Sequence, residues 1–313
     1  MILVAGSANL DFVVRADHIP GPGETVLGRD FKTFPGGKGA NQAVASARSG
    51  AALTHMLLAL GADAFAIPLE ASLTEARVHL HTVRVEDQPT GTAFICVSDD
   101  AENAITVAPG ANACLRPEHL PPLDGVTHLL MQLEIPLGTV EAYAQAAHRQ
   151  GVLNVLNAAP AQVLPERLLD AIDILVVNEG ELQAITGHAG TIAECLARIK
   201  VPTVVVTLGH HGCCARHQGE FLVQPAFPVA AIDTTGAGDT FCGALVAALS
   251  NGTPLHVALQ FASAAGALAC TRLGAQSSIP TEREVRQFLA LNTQENQAAV
   301  AHVRGFCGLP STT

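Results

Sequence analysis

Residues 233–241 read Asp-Thr-Thr-Gly-Ala-Gly-Asp-Thr-Phe and connect an extended apolar run (227–232) to a small-residue stretch (240–250) that is typical of a buried helix. Backbone N–H groups at the start of a helix are unpaired and carry partial positive charge, so the Gly-Ala-Gly turn is suited to hold developing phosphate charge. Asp239 lies in the same turn, where its carboxylate can take a proton from an attacking hydroxyl. The segment therefore indicates transfer of a phosphoryl group to an alcohol.

The composition is that of a compact globular protein. The chain has 313 residues, of which 49% are hydrophobic and 14% charged, and this length allows one large α/β domain or two smaller ones. The formal net charge of −11 argues against nucleic acid or an anionic membrane surface as the main partner. An anionic ligand such as a nucleotide would therefore be held by local donors.

The eight cysteines form no Cys-x-x-Cys pair and lie mostly in apolar or small-residue runs. This pattern favours buried, reduced thiols, as in cytosolic proteins. The chain enters a predicted strand directly after Met1, without a basic and then apolar leader, and it shows no run typical of a membrane span. We expect a soluble, cytoplasmic protein.

Apolar runs of strand length alternate with amphipathic runs of helix length over most of the sequence. The predicted strands are 2–5, 126–133, 152–156, 174–177 and 204–208. The predicted helices are 41–49, 138–150, 165–171 and 191–200. This alternation predicts an α/β fold with a mostly parallel central sheet, helices on both of its faces, and ligands at the carboxyl ends of the strands.

Two stretches break this alternation. Residues 11–35 and 81–108 carry shorter alternating segments with turn signals, including a hairpin of 92–97 and 103–107 around an acidic turn. We interpret both stretches as strands of a small β-sheet lid on a single domain that spans 1–313. The C-terminal tail, from about residue 291 onward, is weakly patterned, and its sequence indicates no role for it.

A second glycine motif, Pro-Gly-Gly-Lys-Gly-Ala-Asn-Gln-Ala at 35–43, lies between a predicted strand and a predicted helix. Its glycines allow a ligand to approach the backbone, while Lys38 and Asn41 add a cation and an amide. It is not the G-x-x-x-x-G-K-[ST] phosphate loop, because Gly39 follows Lys38 and leaves no hydroxyl for magnesium. Its glycine spacing also differs from the dinucleotide fingerprint. Carbohydrate recognition fits best, and a plain glycine-rich turn is the alternative.

Polar residues follow the first strand and end the run 126–133. Asn9 and Asp11 can accept hydrogen bonds from sugar hydroxyls, with turn chemistry as the alternative. Glu134 is a carboxylate directly after a buried strand, where a hydroxylic ligand is one candidate partner.

Further polar candidates follow the strands 174–177 and 204–208. Asn178 and Glu181 are about one helical turn apart. Asn178 could contact nucleotide phosphates while Glu181 binds Mg²⁺-bound water, or the pair could cap a helix. The turn 207–212, Thr-Leu-Gly-His-His-Gly, could pass beneath nucleotide phosphates. Its adjacent histidines point in different directions, so they do not predict a zinc site.

Both glycine motifs resemble the diagnostic motifs of the ribokinase-like (PfkB) family of carbohydrate kinases. The similarity runs nearly end to end, from Gly-Ser-Ala-Asn-Leu-Asp (6–11) to Gly-Ala-Gln-Ser-Ser (274–278). Between them lie Pro-Gly-Glu-Thr (22–25), Met-Gln-Leu-Glu (131–134), Asn-Ala-Ala-Pro (157–160) and Val-Asn-Glu-Gly-Glu (177–181). So many motifs in the expected order indicate that the resemblance is not due to chance.

The resemblance implies roles for the residues that match family motifs. It makes Asp239 the catalytic base and the amides of Gly236, Ala237 and Gly238 an anion hole. The implied sugar contacts are Asn9, Asp11, Gly37, Lys38, Asn41, Glu134 and Asp239. The implied ATP contacts are Asn178, Thr207, Gly209, Gly212, Gly238 and Ser263, with Glu181 acting through Mg²⁺. The implied potassium site, mostly of backbone carbonyls, consists of Asp233, Thr235, Ala269, Arg272, Gly274 and Ser278.

Three departures from the family pattern concern the ligands. The turn 207–212 carries Gly-His-His-Gly, where members often have a small or basic residue after the first glycine. Ser263 occupies a position that commonly holds His or Asn near the adenine. Residues 62–90, which shape the sugar pocket, are the least similar part, so the substrate is less well determined than the reaction.

The implied reaction transfers the γ-phosphoryl group of ATP to the primary hydroxyl of a pentose, with D-ribose O5 as the first expectation. The alternative is a related kinase for another sugar or a nucleoside, such as deoxyribose or adenosine. A nucleoside would need an apolar shelf, for which Phe12 is a candidate, and a sugar phosphate would need more cations than Lys38. A sugar-binding sensor of the same fold without catalytic activity is disfavoured, because Asp239 and the glycine turn before it are both intact. An apolar lid face predicts a homodimer through the lid.

Overall fold

The computed structural model describes residues 1–100, 102–292 and 297–310. The strands are β1 (Ile2–Ala5), β2 (Asn9–Arg15), β3 (Arg29–Gly36), β4 (Thr54–Gly61), β5 (His79–Val85), β6 (Gly91–Val97), β7 (Asn103–Ala108), β8 (His128–Met131), β9 (Leu153–Asn157), β10 (Ile174–Asn178), β11 (Thr203–Thr207), β12 (Gly212–His217) and β13 (Glu220–Pro225). The helices are α1 (Lys38–Arg48), α2 (Ala66–Glu75), α3 (Leu137–Arg149), α4 (Glu166–Leu169), α5 (Glu179–Thr186), α6 (Ile192–Leu196), α7 (Ala237–Ser250), α8 (Leu255–Ala269), α9 (Ala275–Ser278), α10 (Glu282–Leu291) and α11 (Gln297–Phe306). Short 3-10 helices lie at Gly110–Cys114, Pro117–His119 and Gly209–His211.

Nine strands form the large sheet, in the order β13-β12-β11-β10-β9-β8-β1-β4-β5. The strands from β11 to β5 are parallel, and β12 and β13 extend the sheet as antiparallel strands. The prediction of a mostly parallel α/β sheet is therefore confirmed. Each predicted strand of this sheet ends within two residues of an observed one.

Alternate residues of each central strand enter two different apolar layers. In β1, Ile2 and Val4 pack in the layer of α1, α7 and α8, while Leu3 and Ala5 pack in the layer of α3, α5 and α11. Because helices cover both faces, both sets of side chains are buried, and this explains why the strands are almost continuously apolar.

Four strands form the lid, in the order β3-β2-β6-β7. The strands β2 and β6 are parallel, while β2–β3 and β6–β7 are antiparallel. The predicted hairpin of 92–97 and 103–107 corresponds to β6 and β7, and Ala101 of its turn lies outside the described residues.

Two parts of the chain differ from their sequence-based assignment. Residues 79–85, partly assigned to the lid, form β5 at the edge of the large sheet, where β5 pairs with β4 after the crossover helix α2. A short alternating run is compatible with an edge strand of the large sheet or with a strand of the lid. The connection that precedes it, here the crossover helix α2, determines which sheet it joins. The first lid strand, β2, begins at Asn9, two residues before the predicted lid stretch 11–35, and so contains both Asn9 and Asp11.

The tail that follows α10 is partly helical. Residues 297–306 form α11, whereas 293–296 and 311–313 lie outside the described residues. None of the helices in the described ranges is long and apolar enough to cross a membrane.

A close approach of α1 and α7 brings the two glycine motifs together. A Cβ atom at Gly243 of α7 would lie 2.5 Å from the carbonyl oxygen of Gln42 in α1, so a side chain there would force the helices apart. The helix α7 begins after Gly236, whose φ of 73° belongs to the left-handed region that glycine adopts without strain. This packing sets the first turn of α7 against α1.

Candidate active site

The carboxylate of Asp239 is held by two side-chain amides of α1. Asp239 lies in the first turn of α7 and is 9% exposed. Asn41 Nδ2 donates to Asp239 Oδ2 at 2.9 Å, and Gln42 Nε2 donates to Asp239 Oδ1 at 2.9 Å. Because each carboxylate oxygen accepts one of these bonds, the orientation of the group is fixed, as a general base requires.

Gln42 connects Asp239 to two further strands, and sequence reasoning did not predict it as a site residue. Its Nε2 also donates to Asn157 Oδ1 at 2.9 Å, and its Oε1 accepts a 2.6 Å bond from Gln132 Nε2. Gln132 and Asn157 lie within motifs already singled out in the sequence, but neutral amides carry no charge signal that would mark them. The network extends from α7 through α1 to the ends of β8 and β9.

Two acceptor atoms of this region have no partner in the described part of the protein. Asn41 Oδ1 and Gln132 Oε1 are buried without a hydrogen bond. Leaving a buried acceptor unpaired costs about 1–3 kcal/mol, so such atoms indicate a missing donor. A ligand hydroxyl next to Asn41 would supply one.

Asp11 shares its surroundings with other carboxylates. Burial, followed by the charges of Glu134 and Asp239, raises the pKa of Asp11 to about 7. Gly36 lets the backbone of β3 pass beside Asp11, because a Cβ atom there would lie 2.1 Å from Asp11 Oδ2. The structure therefore brings Asp11, Glu134 and Asp239 into one electrostatic environment.

Glu134 lies at the start of α1. Its Oε2 accepts a 3.1 Å bond from the backbone N–H of Lys38 and another from the hydroxyl of Ser7. The positive end of a helix favours a carboxylate at this position. The negative charge of Asp239 raises the pKa of the Lys38 amine; burial lowers this pKa, and Glu134 and Glu181 raise it further. Lys38 is thus the cation of an otherwise acidic site.

Asn9 is positioned by a residue that sequence reasoning missed. Asn112 Nδ2 donates to Asn9 Oδ1 at 2.8 Å, and Asn112 Oδ1 accepts from the backbone N–H of Ala8 at 3.0 Å. Asn112 lies in a 3-10 turn about 100 residues away, and no sequence pattern links it to β2. Gly37 passes close to the same segment, because a Cβ atom there would lie 2.7 Å from the backbone nitrogen of Asn9.

The turn before α7 offers backbone donors. The N–H of Ala237 donates to Thr234 O at 3.2 Å. Across the described ranges, the N–H groups of Gly236 and Gly238 have no protein acceptor. Two of the three predicted anion-hole amides are therefore free to bind an anion at the positive end of the helix.

Asp233 joins the two segments predicted to hold potassium. Its Oδ1 accepts from the backbone N–H of Thr235 at 2.9 Å, and its Oδ2 accepts from that of Gly274 at 2.8 Å. Burial opposes ionisation of Asp233, but hydrogen bonds from Thr235 and Gly274 outweigh it and lower the pKa.

The remaining residues of the predicted potassium site lie nearby in the chain. Ala269 O accepts from the N–H of Arg272 at 3.2 Å, and Ser278 Oγ donates to Ala275 O at 2.9 Å. The guanidinium of Arg272 pairs with Glu284. The charge of the guanidinium is therefore balanced by Glu284. The group of Arg272 that could bind a cation is its backbone carbonyl.

Asn178 and Glu181 form a reciprocal cap of α5. Asn178 Oδ1 accepts from the Glu181 N–H at 2.8 Å, and Glu181 Oε2 accepts from the Asn178 N–H at 2.8 Å. The hydrogen bonds that Asn178 and Glu181 make in the structure are therefore those of the helix cap, the second of the two alternatives. The pKa of Glu181 is raised, because burial outweighs the backbone hydrogen bond from Asn178 and the charge of Lys38, both of which lower it. The cap occupies one carboxylate oxygen of Glu181.

The turn 207–212 follows β11 as predicted. Thr207 Oγ1 donates to Val177 O at 3.3 Å, and Gly212 has a φ of 112°. Ser263 lies in α8, with its Oγ 3.7 Å from the sulfur of Cys213 in β12. The described residues contain no group of three or more His, Cys, Asp or Glu side chains that could hold a metal ion.

Comparison with known proteins shows what this chain is similar to. The pfkB family carbohydrate kinase model matches residues 1–282, so that α11 lies beyond the match. A ribokinase of Haemophilus influenzae is 40% identical over 304 residues, which cover 92% of this chain and 98% of the relative.

Two solved structures extend the comparison. The crystal structure of a Thermotoga maritima ribokinase has a TM-score of 0.84 and 38% identity, and the match covers 92% of this chain and 99% of that one. The structure of an Arabidopsis thaliana ribokinase complexed with ribose and ATP has a TM-score of 0.84 and 35% identity, with 92% of this chain and 98% of that one covered.

Proposed function

Because the chain belongs to the pfkB family of carbohydrate kinases, we propose that it transfers the γ-phosphoryl group of ATP to the primary hydroxyl of a pentose, with O5 of D-ribose as the acceptor. The observation that carries the proposal is the Asp239 carboxylate, held by Asn41 and Gln42 beside the free N–H groups that start α7. Relatives named ribokinase, one of them solved with ribose and ATP, support the choice of sugar.

Asp239 takes the proton from the sugar hydroxyl as that oxygen attacks phosphorus in line. The N–H groups of Gly236 and Gly238 stabilise negative charge on the transferred group, and the Ala237 N–H joins them if its bond to Thr234 opens. Positioning and electrostatic stabilisation carry most of the catalysis in phosphoryl transfer. The charge of Asp239 raises the pKa of the Lys38 amine, so the amine lies near the base, and this supports a role for Lys38 beside the reacting oxygens.

The sugar is recognised mainly by acceptors, because a free pentose presents several hydroxyl donors. Asp11 and Glu134 supply carboxylates, Asn9 supplies an amide, and the unpaired Asn41 Oδ1 supplies a further buried acceptor. Gly36 and Gly37 keep the backbone close to these groups. The shortage of cations argues against a sugar that already carries a phosphate.

The position of Phe12 favours a sugar over a nucleoside. Phe12 follows Asp11 in β2, and successive side chains of a strand point to opposite faces. The Phe12 ring instead contacts Phe94 and Phe65, each with a centroid distance of 5.4 Å. Phe12, the candidate shelf for a nucleobase, therefore lies on the other face of the lid from Asp11.

ATP is held by Asn178, the turn 207–212, the backbone at Gly238 and the α8 surface at Ser263. Mg²⁺ would neutralise phosphate charge, and the donor set fits this ion because a hard cation that keeps several waters needs few direct protein ligands. Glu181, with one oxygen occupied by the cap, would hold such a water with the other.

A monovalent cation, K⁺, would lie between the segments joined by Asp233. The donors fit, because the carboxylate, the carbonyls of Ala269, Arg272 and Gly274, and the oxygens of Thr235 and Ser278 are all hard ligands. A Cβ atom at Gly236 would lie 3.1 Å from Ala275 Cα, so the two segments are in close contact, and a cation that ordered one of them would also restrict the anion hole in the other.

A homodimer forms through the Asp11 face of the lid. Ile105 is 55% exposed and Val107 is 41% exposed, and cross-strand pairing sets both on the same face as Asp11. Burial of such a strip in a partner would remove apolar surface from water. A cytoplasmic location agrees with the eight cysteines, all of them free thiols.

A coupled ADP-release assay over ribose, deoxyribose, fructose and adenosine, with and without K⁺, tests the proposal. We expect ribose to give the highest kcat/KM and K⁺ to raise the rate. ADP release that no sugar stimulates would overturn the kinase assignment, and a preference for adenosine would overturn the choice of substrate.

A further inference from the structure

The helix α11 is firmly docked although it lies beyond the family match. Val303 and Cys307 are buried in the same apolar layer as α3 and α5. Cys307 shares this apolar layer with Cys214 of β12, and the Cys307 carbonyl accepts a 3.0 Å bond from the N–H of Ala193. The segment therefore has one defined position against β12 and α6.

This docked helix meets the turn 207–212 at one ring. The Phe306 ring is stacked on His211, with centroids 4.1 Å apart and an interplanar angle of 28°. His302 Nε2 lies 3.4 Å from His211 Nδ1. His302 and Phe306 are four residues apart, so they lie on the same side of α11. The helix thus presents two side chains to a single residue of the turn.

Backbone hydrogen bonds close the turn, and the N–H of Leu208 donates to Gly212 O at 2.8 Å. Gly209 and Gly212 both have positive φ, so its backbone is built from the least restricted residue type. The N–H of His211 donates to Leu208 O at 3.1 Å, and His211 O accepts from the N–H of Ala226 at 3.2 Å. Side-chain contacts that favour this conformation of the turn reduce the ordering that a bound nucleotide would otherwise have to impose, and so they raise affinity.

We propose that His302 and Phe306 are positioning residues for the nucleotide, which act by fixing the turn 207–212 through His211. The inference rests on the proposed function, because that function assigns the turn to ATP. It also gives a role to His211, the second histidine of the Gly-His-His-Gly turn: it is the docking partner of α11.

Steady-state kinetics of His302→Ala and Phe306→Ala provide the first test. Each substitution should raise the KM for ATP about fivefold to tenfold, and leave kcat and the ribose KM within about twofold. His148→Ala, which removes an exposed histidine from the last turn of α3, is the matched control and should change none of these values. An unchanged KM for ATP in both α11 variants would overturn the inference.

A double-substitution cycle separates positioning from loss of stability. If α11 acts through His211, His302→Ala should have no further effect on the ATP KM in a His211→Ala background. His211→Phe, which keeps a ring against Phe306 but loses the bond to His302, should weaken ATP binding about as much as His302→Ala and less than His211→Ala. Additive losses in the double variant would show that His302 acts elsewhere, and this would overturn the inference.

Nucleotide binding measured without turnover distinguishes this inference from the proposed function. ADP should slow backbone hydrogen exchange in 297–310, while ribose should leave it unchanged, and calorimetry should show the same loss of ADP affinity in both α11 variants. A wild-type protein that binds ADP but has no sugar-stimulated turnover would contradict the proposed function alone. No change of exchange with ADP, or no ADP binding at all, would overturn the inference.

Discussion

Asn41 donates its side-chain N–H to Asp239 at 2.9 Å and so joins two glycine motifs that lie 198 residues apart in the chain. The bond forms because Gly243 lets α1 and α7 pack closely. The neutral amides of Asn41 and Gln42 orient the carboxylate without adding a positive charge, which would make it a weaker base. The chemistry of the site thus depends on the contact between two helices.

Asp239→Asn should abolish most of the activity while the fold survives. The amide has nearly the shape of the carboxylate but cannot accept a proton, so we expect kcat to fall by about 10²-fold to 10⁴-fold. Sugar binding, measured by calorimetry, should persist, because the other acceptors of the site remain. Turnover close to that of the wild type would contradict the role of Asp239 as the base.

Gln42→Leu should lower kcat more than it changes the sugar KM. The substitution removes partners from Asp239, Asn157 and Gln132, and each buried group left unpaired costs about 1–3 kcal/mol of the free energy of unfolding. Gln42→Glu is the matched variant, because it keeps the shape and the acceptor for Gln132 but replaces the donor to Asp239 and Asn157 with a carboxylate oxygen that repels Asp239. We expect kcat to fall in both, and an unchanged kcat in both would show that the network does not position the base.

Sequence alone was sufficient for those parts of the fold that local pattern determines. The parallel strands are apolar on both faces, so runs such as 174–177 and 204–208 indicate them directly. The glycine motifs mark tight turns that few other residues could form. The site required more, because Gln42 to Asn157 and Asn9 to Asn112 are contacts across more than 100 residues between neutral side chains. Neither periodicity nor charge reports such a contact.

Local reasoning also left alternatives that only packing could decide. Asn178 and Glu181 fit a cap and a nucleotide site equally well by spacing, and the observed bonds are those of the cap. The edge strand β5 has the same short alternation as a lid strand. Its neighbour β4, reached through α2, determines the sheet to which it belongs.

Gly36→Ala should weaken sugar binding and spare the fold. The new Cβ would lie 2.1 Å from Asp11 Oδ2, but the atoms it meets belong to the end of a side chain that can turn away. We expect the sugar KM to rise about tenfold or more, with about 1–3 kcal/mol lost from the free energy of unfolding. Gly138→Ala, in α3, is the control, because a Cβ there would meet nothing within 4 Å. A sugar KM equal to that of the control would contradict the placement of Asp11 at the sugar.

The stability of the ligand-free protein should contain a pH-dependent contribution from Asp11. Its pKa is about 7 in the folded protein, raised by burial and then by Glu134 and Asp239, and is about 3.9 in an unfolded chain. Between these values the folded state binds more protons than the unfolded state, so this contribution is full below pH 4 and is lost as the pH rises through 7. The loss amounts to at most about 4 kcal/mol.

Asp11→Asn removes this contribution. Thermal unfolding of the wild type and the variant should therefore differ increasingly in favour of the variant as the pH rises from 4 to 8. The variant should also bind ribose more weakly, because the amide replaces a carboxylate acceptor. A difference in melting temperature that stays constant over this range would contradict the raised pKa.

Ile105→Lys should convert the proposed homodimer to a monomer. Ile105 is 55% exposed and, through Ile95 and Val13, lies on the Asp11 face of the lid, so a charge there would be buried in the proposed interface. Thr106→Lys is the matched control, because the next residue of β7 points to the opposite face and pairs with Phe94. Sedimentation velocity should show monomers for the first variant and dimers for the second. The reverse result would place the interface on the aromatic face of Phe12 and Phe94, and two dimeric variants would exclude the lid as the interface.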